Sequence, residues 1–329
     1  MLLKFWPEKT NVKFMSLRLV GAVVSALMIA ASVFFLGTRG LNFGVDFAGG
    51  TVMELGQTET VTVEAVRAAM PISADVNSAV GTDGRSIVVI KFGEADASVL
   101  GEAFQALSVE DQAERAAGAT EEYVRETIKA ELNIDDEQIL RTETVGPKVS
   151  SELFRDGITA LVVALVLMLI YIWFRFEWQF SIGAVAALAH DVIITLGVFS
   201  FLQMEFNLTT IAALLTIIGY SMNDTVVVFD RVREEKRKYK KMPNREVIDL
   251  ALNGTLSRTL LTSGTTLLAL LAIFFLGGPV LRGMSFALIW GVLIGTYSSI
   301  FIASTIVLLL GMDFNKKPVE DVPGFQGAP

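Results

Sequence analysis

The sequence of 329 residues is 52% hydrophobic and 19% charged, with a mean hydropathy of +0.54. Those values exclude an ordinary soluble domain and place the chain among integral membrane proteins. It has no cysteine and one histidine, which excludes disulfides and thiolate sites and leaves too few donors for a His-based zinc site. The net charge of −8 conceals a segregation: Thr38 to Ser150 carries 20 acidic against 9 basic residues, and the remainder 15 against 18.

In chain order, residues 1–16 hold Lys4, Lys9 and Lys13 ahead of an apolar run at 17–36. Its length suits a bilayer, and the preceding lysines predict a retained first span with a cytoplasmic amino terminus. Residues 37–150 read as a soluble domain on the far side. GLNFGVDFAGGTVMEL alternates Phe43, Val45 and Phe47 with polar or glycine positions, as a strand does. Thr62–Met70 reads as a short helix stopped by Pro71, and Asp75–Phe92 as a hairpin turning at Thr82-Asp83-Gly84. A helical stretch at 97–132, broken near Gly118, and a strand at 138–145 complete it. The order predicts a small α+β, ferredoxin-like head.

Five further spans are expected at 156–175, 179–202, 207–230, 256–276 and 281–311. A basic loop and surface-lying helix occupy 231–255, and a cytoplasmic tail with Lys316 and Lys317 occupies 312–329. From Arg231 to Arg245 there are 8 basic residues against 2 acidic, which marks a cytoplasmic side and accounts for the charge without nucleic acid. Six spans bring both termini to the cytoplasm.

Asp224 lies inside the fourth span, where a carboxylate costs at least roughly 2.5 kcal/mol. It sits about 9 Å in from Asp230 at the usual helical rise. The next helix repeats polar residues at Thr255, Arg258/Thr259, Thr262 and Thr265/Thr266, one face of a helix. A short connection makes the two helices antiparallel neighbours and sets Arg258 at a depth similar to Asp224. Burial and a guanidinium act oppositely on a carboxyl's hold on its proton, so Asp224 and Arg258 are expected to form a protonation-sensitive pair. The threonines have an equal alternative, bonding back to their own helix carbonyls. Asp191, mid-span in the third helix, is a weaker relay candidate; a static hydrogen bond explains it as well. Beside it, His190 is read as a satisfied core residue.

Gly283, Ala287, Gly291, Gly295, Ser299 and Ala303 recur every four residues, a ridge that permits close helix packing. The glycines at 40, 44, 49 and 50 read as turn residues. No GxxxxGK[ST], GxGxxG after a strand, HExxH or GxSxG motif occurs, and no nucleophile–base pair suggests an enzyme.

The blocks GLNFGVDFAGGT, VGPKVS, YIWFRFEW, ALAHDVIITLG, IGYSMNDTVVVFDRVRE, SRTLLTSGTT and GGPVLRG resemble the SecF family. These are the smaller subunits of the SecDF protein-export complex, within the RND superfamily. The resemblance implies an RND-type half of six helices with a periplasmic head, set in the bacterial cytoplasmic membrane. It implies pairing with SecD, association with the SecYEG channel and YajC, and a functional link to the ATPase SecA. Proton flow would drive late preprotein translocation, with protons as coupling ion and no other cofactor. The relay would map to Asp224 and Arg258, supported by Asn223, Thr262 and Thr266. The alternatives are an RND-type exporter subunit for small molecules or lipids, and a non-transporting scaffold of the translocon.

Overall fold

The computed structural model describes residues 10–81 and 84–312; Thr82, Asp83, Lys4, Lys9, Lys316 and Lys317 lie outside them. Among the described residues, six helices are long and apolar enough to cross a membrane. They are α1 (Arg18–Thr38), α6 (Pro147–Arg175), α7 (Trp178–Leu202), α8 (Leu208–Lys238), α9 (Asn244–Leu276) and α10 (Gly278–Ser298) continued by α11 (Ser304–Leu310). Five residues of π-helix, Ser299–Ala303, join the last two.

Several helices overrun the boundaries expected from apolar runs. Pro147, whose missing N–H suits a first helical position, starts α6 inside the stretch assigned to the head. The surface-lying helix expected before the fifth span is instead the first part of α9, which runs unbroken from Asn244 to Leu276. One Gly inside a helix costs only about 1 kcal/mol, and Gly254 alone does not break it. Val247, Ile248, Ala251 and Leu252 are buried there. The amino-terminal segment is clamped against this stretch: Asp249 Oδ1 accepts from the Met15 amide at 2.8 Å, and Asn253 exchanges two bonds with the Val12 backbone.

Between α1 and α6 the chain forms β1 (Asn42–Phe43), α2 (Val45–Ala48), β2 (Gly50–Gly56), α3 (Val63–Ala69), β3 (Ala74–Val80), β4 (Ser86–Phe92), α4 (Glu102–Gln105), α5 (Val109–Leu132) and β5 (Ile139–Val145). The sheet runs β3-β4-β2-β5 with every neighbour antiparallel. Met53, Leu55, Val76, Val88 and Ile90 from the strands meet Val66, Val124 and Ile128 from the helices in one core. The expected break at Gly118 falls earlier, at residues 106–108, where Ser108 caps α5 by accepting from the Asp111 amide. The inward side chains of α5 outweigh the cost of its one glycine.

The alternating stretch after α1 is not one strand. Before β2, Asn42 and Phe43 alone form a strand, and they pair in parallel with β6 (Glu205–Phe206), the link between α7 and α8. Val45–Ala48 then forms one helical turn whose Phe47 packs with Phe43, Phe154 and Phe206. Gly49 and Gly50, at φ +76° and +114°, turn the chain into β2. A Cβ on Gly50 would sit 2.5 Å from the Phe92 carbonyl oxygen, so only glycine fits.

This junction ties the head to the fourth span. The Leu208 amide at the start of α8 donates to Asp46 Oδ2 at 2.8 Å, a charge-assisted bond at the positive end of a helix. Lys91 of β4 bonds Glu205. Hydrogen bonds to charged groups contribute about 1.5–3 kcal/mol. Asp46→Ala should therefore speed hydrogen exchange at the start of α8 by about tenfold or more, at tenfold per 1.4 kcal/mol. Exchange measured by mass spectrometry on a peptide covering 205–212 checks this; an unchanged rate would show that Asn207 alone holds the helix end.

Candidate functional site

Asp224 lies one turn below Tyr220 on α8 and is 5% exposed. Its Oδ2 accepts no hydrogen bond among the described residues. The polar groups acting on its carboxyl come from α9: the Thr259 hydroxyl and the Arg258 charge. No ion pair joins Asp224 and Arg258 among the described residues, so the Arg258 charge acts on the carboxyl without a direct contact. Arg258 is exposed on the outer side of α9, one position round from buried Thr259.

The polar stripe of α9 divides for the same reason. Successive residues are about 100° apart round a helix, so Thr255, Thr259 and Ser263 face inward while Arg258, Leu261 and Thr265 face out. Half-buried Thr262 donates to the Arg258 carbonyl at 2.9 Å, and Thr265 donates to the Leu261 carbonyl at 2.9 Å. These are the back-bonds to the helix's own carbonyls. Thr266 is half-buried, and Asn223 is exposed beside Asp224. Arg258, Thr262 and Thr265 thus form a polar strip along the outer side of α9, and Asn223 is exposed on α8.

Inward, α8 is held by two polar links. Tyr220 donates to Ser263 Oγ at 3.3 Å, and Ser263 lies 2.9 Å from Thr296 Oγ1 on α10. Ser221 donates to Asp191 Oδ2 at 2.6 Å, and Ser298 donates to the same oxygen at 2.8 Å. Asp191 is 1% exposed and lies 2.9 Å from Nδ1 of His190. Thr259 belongs to the polar stripe read from the sequence, whereas the contacts of Ser263, Ser221 and Ser298 exist only in the fold. One more carried such a signal: Ser25, a polar residue within the apolar run of α1, is buried with its Oγ 3.2 Å from His190 Nε2.

The small residues on α10 meet α8 and α7. A Cβ on Gly291 would lie 2.2 Å from Ile217 Cγ1, and one on Gly295 3.0 Å from Ser221 Cβ. Ala287, Ser299 and Ala303 are fully buried, and the Ala303 carbonyl would be 2.9 Å from a Cβ on Gly183. Gly283 has nothing within 4 Å of its added Cβ, so the close packing begins one step later.

Residues 124–313 match the family described as protein export membrane protein SecD/SecF, C-terminal, and residues 34–56 match the SecD/SecF GG motif. The protein translocase subunit SecF of Cereibacter sphaeroides is 45% identical over 319 residues, covering 94% of this chain and 93% of that one. The chain belongs to the SecF family of protein translocase subunits. SecF of Vibrio alginolyticus is 43% identical, covering 93% of this chain and 91% of its own. The crystal structure of SecDF, described as a translocon-associated membrane protein from Thermus thermophilus, superposes with a TM-score of 0.75 at 35% identity. That match covers 93% of this chain but 39% of the longer SecDF chain. The GG motif of this SecF-family chain is the turn at Gly49 and Gly50, directly after the Asp46 clasp.

Proposed function

We propose that this chain pairs with SecD and uses the proton gradient across the bacterial inner membrane to promote late preprotein translocation. The observation that carries the reading is Asp224: a buried carboxyl with an unpartnered oxygen, next to exposed Asn223 and within reach of the Arg258 charge on α9. Lipid chains offer such groups no hydrogen bonds, so they face protein or water. A second six-helix half, SecD, supplies that cover, in keeping with the 39% share of SecDF that this chain spans. Inverted or parallel halves that enclose a midplane site are the usual plan of secondary transporters.

In this reading Asp224 takes up and releases the proton, and Arg258 sets its hold by moving toward or away from it. Thr259 is the nearest hydroxyl aid, with Asn223, Thr262 and Thr266 lining the approach and Asp191 behind. The protons are the coupling ion, without another cofactor, and the chain is no enzyme. The β-α-β-β-α-β unit is a ferredoxin-like head on the periplasmic side, and both termini are cytoplasmic. SecYEG, YajC, SecA and the emerging preprotein are its working partners.

The test is translocation of a preprotein into inverted membrane vesicles depleted of this chain and then resupplied with it. The component that responds to an imposed proton gradient should vanish on depletion and return on resupply. A response that never depended on the chain would remove the proton role and favour a scaffold.

A further inference from the structure

We infer that the cleft between the end of α6 and the outer part of α8 is a seat for the phosphate of one anionic phospholipid. The inference is independent of proton transfer at Asp224 and uses none of the residues assigned to it.

The cleft holds about 530 Å³ and is lined by Arg175 of α6 and by Asp230, Arg233, Glu234, Arg237 and Lys238 of α8. The α8 residues follow the three- and four-residue spacing of one helix face. Four cations stand against two carboxylates, and their pairing leaves a positive surplus. Arg175 Nη2 donates to Asp230 Oδ1 at 3.0 Å, and Lys238 donates to Glu234 Oε1 at 2.7 Å. Arg233 is poorly matched: its Nε lies 3.6 Å from Glu177 Oε2, too far for a hydrogen bond, and no acceptor meets it among the described residues. Arg237 enters no ion pair among the described residues.

Two of the guanidinium groups are already held in place. Arg175 and Arg233 lie over the Phe176 ring, 4.8 and 5.2 Å from its centre, an attraction of cation for ring face. Arg233 Nη1 also donates to the Arg175 carbonyl at 3.4 Å. A guanidinium offers phosphate two parallel N–H groups, a match that a carboxylate or phosphate uses best. Like charges gathered this closely with too few carboxylates favour an added anion.

Depth identifies the source of the phosphate. The apolar run of α6 ends in Tyr171, Trp173 and Phe174, all exposed, and Arg175 follows directly. On α8, Asp230 comes straight after the apolar residues 226–229. Aromatic side chains at the end of a spanning helix stand at headgroup level, so the cleft lies where phospholipid phosphates lie. Tyr171 and Leu167, one and two turns before Arg175 on the same face of α6, are exposed for an acyl chain to cover. Basic clefts between spanning helices take anionic headgroups. A zwitterionic headgroup brings its own cation, which the surplus charge opposes.

The full chain, co-purified with SecD in mild detergent and stripped of lipid, is titrated with dioleoyl phosphatidylglycerol, and native mass spectrometry counts the lipid on the intact complex. One molecule should bind ahead of the rest, and dioleoyl phosphatidylcholine should not replace it. Arg237→Gln breaks no ion pair among the described residues and should weaken that first binding about tenfold. Lys241→Gln removes the same charge from the exposed turn after α8 and should change it by less than about twofold. Arg237→Lys keeps the charge without the paired N–H groups; it should fall between the two, and it serves if Arg237→Gln does not assemble. Equal losses at positions 237 and 241 would show diffuse attraction to the whole basic end and overturn the seat. Displacement by glycerol 3-phosphate at the lipid's concentration would show a site for free phosphate compounds and overturn the lipid. A wild-type complex that holds neither lipid, or both alike, overturns the proposal too, the first because the partner covers the cleft.

Discussion

Asp224→Asn is expected to abolish the gradient-dependent part of preprotein translocation while leaving the chain assembled with its partner. Asparagine keeps the shape of the side chain but cannot exchange a proton. Because Asp224 Oδ2 accepts no hydrogen bond among the described residues, the substitution breaks none at that oxygen, and folding should survive. The driving force removed is about 2.3 kcal/mol per charge for each 100 mV of membrane potential. Translocation into inverted vesicles, with and without an imposed gradient, measures the loss; co-purification with SecD measures assembly. Asp224→Glu, which keeps a titratable group slightly displaced, should retain part of the response. A normal gradient response in Asp224→Asn, with normal association, would end the proposed role.

The second large effect concerns packing. Gly291→Leu should strip the chain from its complex, because the Cβ position alone lies 2.2 Å from Ile217 Cγ1 and 2.4 Å from its Cδ1. Even Gly291→Ala forces α8 and α10 apart or drives Ile217 from its rotamer, at about 1–3 kcal/mol for one inserted methyl-sized group. The midpoint of heat-induced aggregation in mild detergent should fall by several degrees in Gly291→Ala. Combining it with Ile217→Ala, which clears the space, should recover part of that fall. Contacting residues couple in this way, whereas distant ones add. Gly283→Ala provides the comparison: its added Cβ meets nothing within 4 Å, and little change is expected. Equal losses at positions 283 and 291 would contradict the packing described.

The two substitutions bear on one face of α8, where Ile217 and Asp224 lie two turns apart. Ile217, Ser221 and Asp224 descend α8 in consecutive turns, meeting Gly291, then Gly295 and Asp191, then Thr259. A tight seam above the carboxyl and a polar latch beside it leave α8 little freedom except with its neighbours. At its upper end the same helix is clasped by Asp46 of the head junction. The buried carboxyl of Asp224 and the bond to Asp46 at the head junction thus lie on one continuous helix.

The sequence by itself determined the number and rough position of the spans, since a bilayer admits only runs of about 20 apolar residues with their backbone bonds satisfied internally. It also determined most elements of the head, through alternation in the strands and turn residues between them, and it singled out Asp224 by the cost of a carboxyl in lipid. Tertiary structure alone decided what each polar group faces. Whether Thr259 or Thr262 turns toward Asp224 depends on the rotation of α9 about its axis, and a stripe repeating every three or four residues fits either setting. The apparent strand at Phe43–Phe47 became a turn of helix because distant partners, Phe154 and Phe206, pack on it and two left-handed glycines redirect the chain. The His190–Asp191 site was legible only as an isolated pair of letters. Its other members lie 165, 30 and 107 positions away, and they meet only once those helices have packed.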